Sequence, residues 1–192
     1  MENKGIIEIT THTMFRNTIK NTIKSGEKIL LNEEQRYVAE SIIKDMENGD
    51  MMPSLIKGVT GSGKTEVYLE LIEWVINRGG DVICLIPEIS LTYQTVMRFY
   101  NRFGDIVSVI NSKMSKGERY DSFEMAKSGK IRIMIGPRSA LFTPFNRLSL
   151  IIIDEEHESA YKSENVPRCH ARETAIELAK MTGAKVVLAS AT

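Results

Sequence analysis

Nowhere does the chain carry an apolar run approaching the roughly 18 residues that a membrane span requires, and its N-terminus lacks the apolar core of a secretory leader. Cysteine is nearly absent. Cys84 and Cys169 are the only two in 192 residues, too few and too far apart for a disulfide framework or a tetrahedral metal site. These absences predict a cytoplasmic protein with no membrane partner. Net charge is missing too: 25 Lys and Arg balance 25 Asp and Glu. That excludes a globally basic nucleic-acid binder but leaves room for a local basic groove. No internal repeat or low-complexity tract interrupts the chain. Its length suits one large α/β domain, able to bury about 70% of its unfolded surface.

Against this plain background one stretch stands out. Gly58-Val59-Thr60-Gly61-Ser62-Gly63-Lys64-Thr65 fits the phosphate-loop pattern G-x-x-x-x-G-K-[ST] at every fixed position. An apolar run (Ser54, Leu55, Ile56) precedes it and a helix-like run (Glu66 to Ile76) follows, the strand–loop–helix context that the pattern needs. Gly58, Gly61 and Gly63 let the backbone curl so that N–H groups converge on an anion, with the helix N-terminus behind them. Lys64 can then reach the β- and γ-phosphates, and the Thr65 hydroxyl can ligate Mg²⁺. A glycine-rich surface turn is the bland alternative, and the Lys-Thr pair with these flanks argues against it. The loop predicts a nucleoside triphosphate site.

The rest of the chain supplies a matching scaffold. Residues 1–30 read as a polar arm or linker in which Phe15, Ile19 and Ile23 fall at helical spacing. From Leu31 the pattern regularises. Asn32 can cap a helix running to about Glu47, and further helices are predicted over Lys64–Asn77, Ser90–Phe103, Ser115–Ser128 and His170–Met181. Strands are predicted over Ser54–Gly58, Val82–Pro87, Ile106–Ile110, Arg132–Gly136, Leu150–Asp154 and Val186–Ser190. Val82–Ile86 and Leu150–Ile153 are apolar throughout, as strands covered by helices on both faces should be. The expected fold is α/β, a mostly parallel sheet with helices on both faces and its chemistry at the carboxyl ends of the strands.

Leu150-Ile151-Ile152-Ile153-Asp154-Glu155-Glu156-His157 is the partner that a phosphate loop requires. Four apolar residues bury a central strand, and carboxylates emerge at its tip. Asp154 is placed to hold Mg²⁺ opposite Thr65, and Glu155 to orient or deprotonate the attacking water. Alone, such residues are often a solvated strand end. Together with Lys64 they define a candidate phosphoanhydride hydrolysis site.

Several further segments carry a family resemblance. Asp154-Glu155-Glu156-His157 resembles the DExH element of superfamily 2 helicases. Gly58 to Tyr68, Leu85 to Thr92 (LIPEISLT), Ile135 to Pro144 (IGPRSALFTP), Asp154 to Lys162 with Pro167 to Arg172, and Leu188 to Thr192 (LASAT) resemble motifs I, Ia, Ib, II with its following loop, and III of the PriA family of primosomal replication-restart DNA helicases. The likeness runs from about Leu31 to Thr192, in order. It implies a RecA-like first helicase lobe over residues 31–192, using ATP and Mg²⁺ to drive 3′-to-5′ movement on single-stranded or forked DNA, with primosome proteins as partners. It further implies that Gln35 reads adenine, the alternative being a solvated helix-face glutamine.

By the same resemblance Pro87, Glu88, Thr92, Arg138 and Ser139 face DNA phosphates, although polar strand-end loops would look alike. Lys162, Arg168 and His170 lie in a loop with Tyr161 that resembles one coupling DNA binding to hydrolysis, and His157 would relay its position to Glu155. Without the family, His157 reads as an ion-pair partner. Two departures stand out. Pro137 replaces an expected Thr, removing a hydroxyl and an N–H from one phosphate contact, and Cys169 replaces an aromatic residue. The resemblance also implies a second lobe with arginine fingers, and a zinc module that Cys84 and Cys169 cannot supply. The chain is therefore expected to hold half a catalytic site and to turn over little by itself. A nucleotide-gated DNA- or partner-binding module without motor activity is the alternative. An unrelated phosphate-loop ATPase would lack the Gln35 and Arg138-Ser139 elements.

Overall fold

The computed structural model describes residues 30–59, 61–156 and 170–191. The arm at residues 1–29, Thr60, His157, Tyr161, Lys162, Arg168, Cys169 and Thr192 lie outside the described residues.

Helix starts follow from local capping chemistry. At α1 (Glu33–Glu47) the Asn32 side chain accepts from the Gln35 N–H at 2.8 Å, while Gln35 Oε1 accepts from the Asn32 N–H at 3.0 Å. Ser115 and Glu118 form the same reciprocal box at α4 (Lys116–Lys127). Each box satisfies two of the backbone donors that a helix leaves unpaired at its start. Replacing Ser115 with alanine is expected to lower stability by about 1 kcal/mol in a urea melt monitored by circular dichroism, since the cap hydrogen bond is lost while nothing buried is disturbed. α3 (Tyr93–Phe103) begins behind Thr92, whose hydroxyl accepts from the Thr95 N–H at 3.2 Å. This corrects the expected start at Ser90. The Ser90 and Leu91 N–H groups bond instead to the Pro87 carbonyl in a tight turn, and the Thr cap starts the helix later. The remaining helices are α2 (Lys64–Asn77) and α5 (Ala171–Thr182).

Six strands form one wholly parallel sheet in the order β1-β6-β5-β2-β4-β3. They are β1 (Ser54–Lys57), β2 (Asp81–Leu85), β3 (Val107–Val109), β4 (Ile133–Gly136), β5 (Leu148–Ile153) and β6 (Lys185–Ser190). β5 begins two residues before the expected Leu150, because Leu148 also pairs, opposite Asp81 across an irregular register.

Alternation along the strands builds a core on each face. Val82, Cys84, Leu150 and Ile152 pack with residues of α1, α2 and α3, whereas Ile83, Leu85, Ile151 and Ile153 pack with residues of α4, α5 and the turn Arg138–Phe142. The α/β expectation, with helices on both faces of a parallel sheet, is therefore met. Among the described residues no helix is long and apolar enough to cross a membrane.

Candidate active site

Strand order arranges the predicted residues along one edge. Reading the carboxyl ends across the sheet gives the phosphate loop after β1, Ala191 after β6, Asp154-Glu155 after β5, Pro87-Glu88 after β2, Arg138-Ser139 after β4, and Asn111-Ser112 beyond β3. Backbone hydrogen bonds stitch this edge together just where regular pairing ends. Gly58 N–H donates to the Ser190 carbonyl (3.1 Å), Glu156 N–H to Ala189 (2.9 Å), Asp154 N–H to Leu85 (2.9 Å), Ile86 N–H to Gly136 (2.9 Å) and Ile110 N–H to Ile135 (2.8 Å). β6 thus holds the phosphate loop on one side and the acidic strand tip on the other.

The loop adopts the curl expected of its glycines. Gly61 and Gly63 have φ of +84° and +80°, in the left-handed region that side chains disfavour. A Cβ on Gly63 would come within 2.3 Å of Gln35 Nε2, and one on Gly58 within 2.7 Å of Ser62 Oγ. The Lys64 ammonium lies over the loop, donating to the Gly58 carbonyl and to that of Val59 at 3.2 Å. Val59 itself is exposed, and Lys64 and Thr65 are half-buried. Gln35 is neither a solvated helix-face residue nor an amide held open. Its Oε1 belongs to the α1 capping box, and its Nε2 donates to the Ser62 carbonyl at 3.0 Å. The amide therefore clamps the start of α1 onto the phosphate loop.

At the tip of β5 the acidic residues are held in unusual ways. Tyr68, on α2, donates its hydroxyl to Asp154 Oδ1 at 2.7 Å, and the Glu155 N–H reaches the same oxygen at 3.1 Å. Burial pushes the Asp154 carboxyl above its ordinary range; the Tyr68 hydrogen bond opposes this, Glu155 adds to it, and the positive charge of Lys64 opposes it. The Tyr68 hydrogen bond ties the helix that follows the phosphate loop to the strand tip. Burial, reinforced by Asp154, pushes the Tyr68 hydroxyl far above its ordinary range and keeps it a donor. Glu155 has φ of +51°, the positive value among the described non-glycine residues. Glu156 pairs with Arg172 at 3.3 Å. Sequence reasoning missed Tyr68, because its partner is 86 positions away and no local pattern links them.

The predicted DNA-facing residues share the other half of the edge. The Glu88 carboxylate accepts from the Ser112 N–H (2.8 Å) and hydroxyl (3.0 Å), tying the loop after β2 to the one after β3. Thr92 caps α3. Arg138 and Ser139 open the turn after β4, behind Pro137. His170 immediately precedes α5. A cavity of about 380 Å³ beside β3, lined by Glu88, Tyr100, Asn111, Ser112 and Met125 among others, shares no residue with the phosphate loop. The two halves are joined beneath the edge by ion pairs between α2 and α3, Glu66 with Arg98, and Glu70 and Glu73 with Arg102.

This arrangement suits a polyphosphate. The tight curl depends on Gly63 and Gly58 lacking a Cβ, which would crowd Gln35 Nε2 and Ser62 Oγ, and a cation overhangs it. Thr65 and Asp154 offer hard oxygen donors of the kind Mg²⁺ prefers. Among the described residues no three-membered His, Cys, Asp or Glu cluster could hold a metal by itself.

Comparison with known proteins agrees with this geometry. A protein-family profile for the type III restriction enzyme, res subunit, matches residues 28–192. The chain belongs to that family. Among curated relatives it is 45% identical over 190 residues to the replication restart protein PriA of Bacillus subtilis (strain 168), covering 98% of this chain and 24% of that protein. It is 49% identical over 138 residues to PriA of Haemophilus influenzae, covering 72% of this chain and 19% of that one. The chain thus spans about a quarter or less of the length of these relatives. Among solved structures it superposes on the ATP-dependent Type ISP restriction-modification enzyme LlaBIII bound to DNA, with a TM-score of 0.58, 18% identity, and coverage of 86% of this chain and 13% of that one. A nuclease-deletion mutant of LlaGI, in complex with a DNA substrate mimic, gives a TM-score of 0.56 at 17% identity, covering 85% and 18%. At that identity the likeness shows the fold alone, a RecA-like α/β domain.

Proposed function

We propose that residues 31–192 form the nucleotide-binding lobe of a PriA-type, ATP-dependent DNA helicase acting in the cytoplasm. The observation that carries this reading is the hydrogen bond from Tyr68, on the helix that opens with Lys64 and Thr65, to Asp154 at the tip of β5. In it the Gly58–Thr65 loop holds the triphosphate, and Lys64 exchanges the Gly58 and Val59 carbonyls for phosphate oxygens. Thr65 and Asp154 would hold Mg²⁺, whose positive charge would offset that of the phosphate. Glu155 orients a water molecule and takes its proton as that oxygen bonds to the γ-phosphorus and the bond to ADP breaks. Gln35 braces the loop from α1, and on binding nucleotide its amide would turn to the adenine edge.

Single-stranded DNA would lie across the ends of β2 and β4. Arg138, Ser139 and backbone groups near Pro87 and Glu88 would meet phosphates there, contacts that carry no sequence information. Lys162, Arg168 and His170 would couple DNA binding to hydrolysis, with His157 relaying to Glu155. A second lobe would close the site with arginine fingers, and primosome proteins and forked DNA are the partners that this reading entails. Zinc belongs to other parts of such a helicase.

The test measures ATP hydrolysis with and without single-stranded DNA, for this chain and for the full-length protein. The expected result is binding of a fluorescent ATP analogue by the chain alone with little turnover, and strong DNA stimulation in the full-length protein. Absence of stimulation in both would reject the motor in favour of a nucleotide-gated binding module. Rapid multiple turnover by the chain alone would refute the half-site reading.

A further inference from the structure

Tyr68 is only 1% exposed and belongs to the core cluster under α1, α2 and α3; its hydroxyl is the one polar atom of its side chain. Phenylalanine would fill the same space without needing a partner, whereas a buried tyrosine requires one for its hydroxyl. Here that partner is the carboxylate proposed to hold magnesium. The hydrogen bond, at 2.7 Å, joins α2 to the tip of β5.

Tyr68 also stands three positions after Thr65 and four after Lys64 in α2. Residues at those spacings share a helix face. The bond therefore fixes more than the rotation of one carboxylate. It holds the helix carrying Thr65 and the strand carrying Asp154 at a set separation, and those two residues carry the side-chain oxygens proposed above for the cation. The Glu155 N–H on the same Oδ1 adds a second restraint from the residue proposed as the base.

We infer that Tyr68 is a positioning residue for the metal site, setting the orientation of Asp154 relative to Thr65 and thereby the affinity for the divalent cation that accompanies the triphosphate. This rests on the nucleotide-site reading above. Partners that orient metal ligands in this way typically change metal affinity by about 10- to 100-fold when removed.

The experiment compares the parent chain with Tyr68→Phe. Mn²⁺ binding is followed by electron paramagnetic resonance in the presence of AMP-PNP, and binding of a fluorescent ATP analogue is measured in EDTA. The expected result is a rise of about 10-fold or more in the Mn²⁺ concentration needed for half-saturation, with metal-free nucleotide binding unchanged. Mn²⁺ affinity within twofold of the parent would overturn the inference while leaving the nucleotide site intact. Equal losses with and without metal would also overturn it, since they would mean general damage to the fold. A parent chain that binds neither probe would remove the nucleotide-site reading itself, and this inference with it.

Discussion

Replacing Lys64 with alanine is expected to weaken triphosphate binding by about 10- to 150-fold, the equivalent of the roughly 1.5–3 kcal/mol assigned to a hydrogen bond to a charged group. In the structure the ammonium already satisfies two loop carbonyls, those of Gly58 and Val59. Its gain on meeting phosphate is therefore a difference between two sets of partners, which keeps the figure below that of a newly buried ion pair. The loop itself should survive the substitution, because Lys64 is half-buried and the released carbonyls can turn to water. Titration with a fluorescent ATP analogue in Mg²⁺, alongside a thermal melt, checks both halves of the expectation. Unchanged affinity would remove Lys64 from the phosphate contact.

Gly63→Ala should fail by a different route. Its Cβ would collide with the Gln35 amide, in a backbone conformation that alanine resists. Binding would fall because the cradle is deformed rather than because a charge is missing. The two substitutions together separate the electrostatic contribution of the loop from its shape.

Much of this scaffold was legible because burial on both faces leaves a simple mark. Val82–Leu85 of β2 and Leu150–Ile153 of β5 are unbroken apolar runs, and three helices carry Asn32, Thr92 and Ser115 at their starts. The phosphate loop was legible for a related reason, since its glycines and lysine are required by local backbone geometry. Strand order was not legible. Placing β6 between β1 and β5 depends on contacts more than a hundred residues apart, such as Ser54 opposite Val187. The same holds for Glu88 and Ser112, and for Gln35 and Ser62, whose hydrogen bonds join loops distant in sequence. Sequence reasoning assigned outward tasks to Glu88, Thr92 and Gln35. The fold gives each an internal partner first, because a polar side chain at a crowded strand end finds the nearest unpaired backbone group.

Glu155→Gln is expected to leave triphosphate affinity within about threefold of the parent while lowering DNA-stimulated hydrolysis by the full-length protein about 10²- to 10⁴-fold, the range for loss of a positioned general base. The amide keeps the volume of the side chain and cannot take a proton. It also leaves the backbone N–H that donates to Asp154 Oδ1 in place, so the Asp154 carboxylate should be undisturbed. The conformation of Glu155 gives the prediction its structural footing. Its φ of +51° is a left-handed value, which ordinarily costs a residue with a side chain about 1–2 kcal/mol. Such strain persists only where surrounding contacts impose it. Here the Glu156 N–H is fixed to the Ala189 carbonyl and Asp154 to both Leu85 and Tyr68. The chain must turn sharply between those anchors, and Glu155 takes the turn. Single-turnover release of labelled phosphate, measured with single-stranded DNA present, reads the hydrolytic step directly. A Gln variant hydrolysing within fivefold of the parent would show that the base lies elsewhere, and the strained turn would then serve only to end β5.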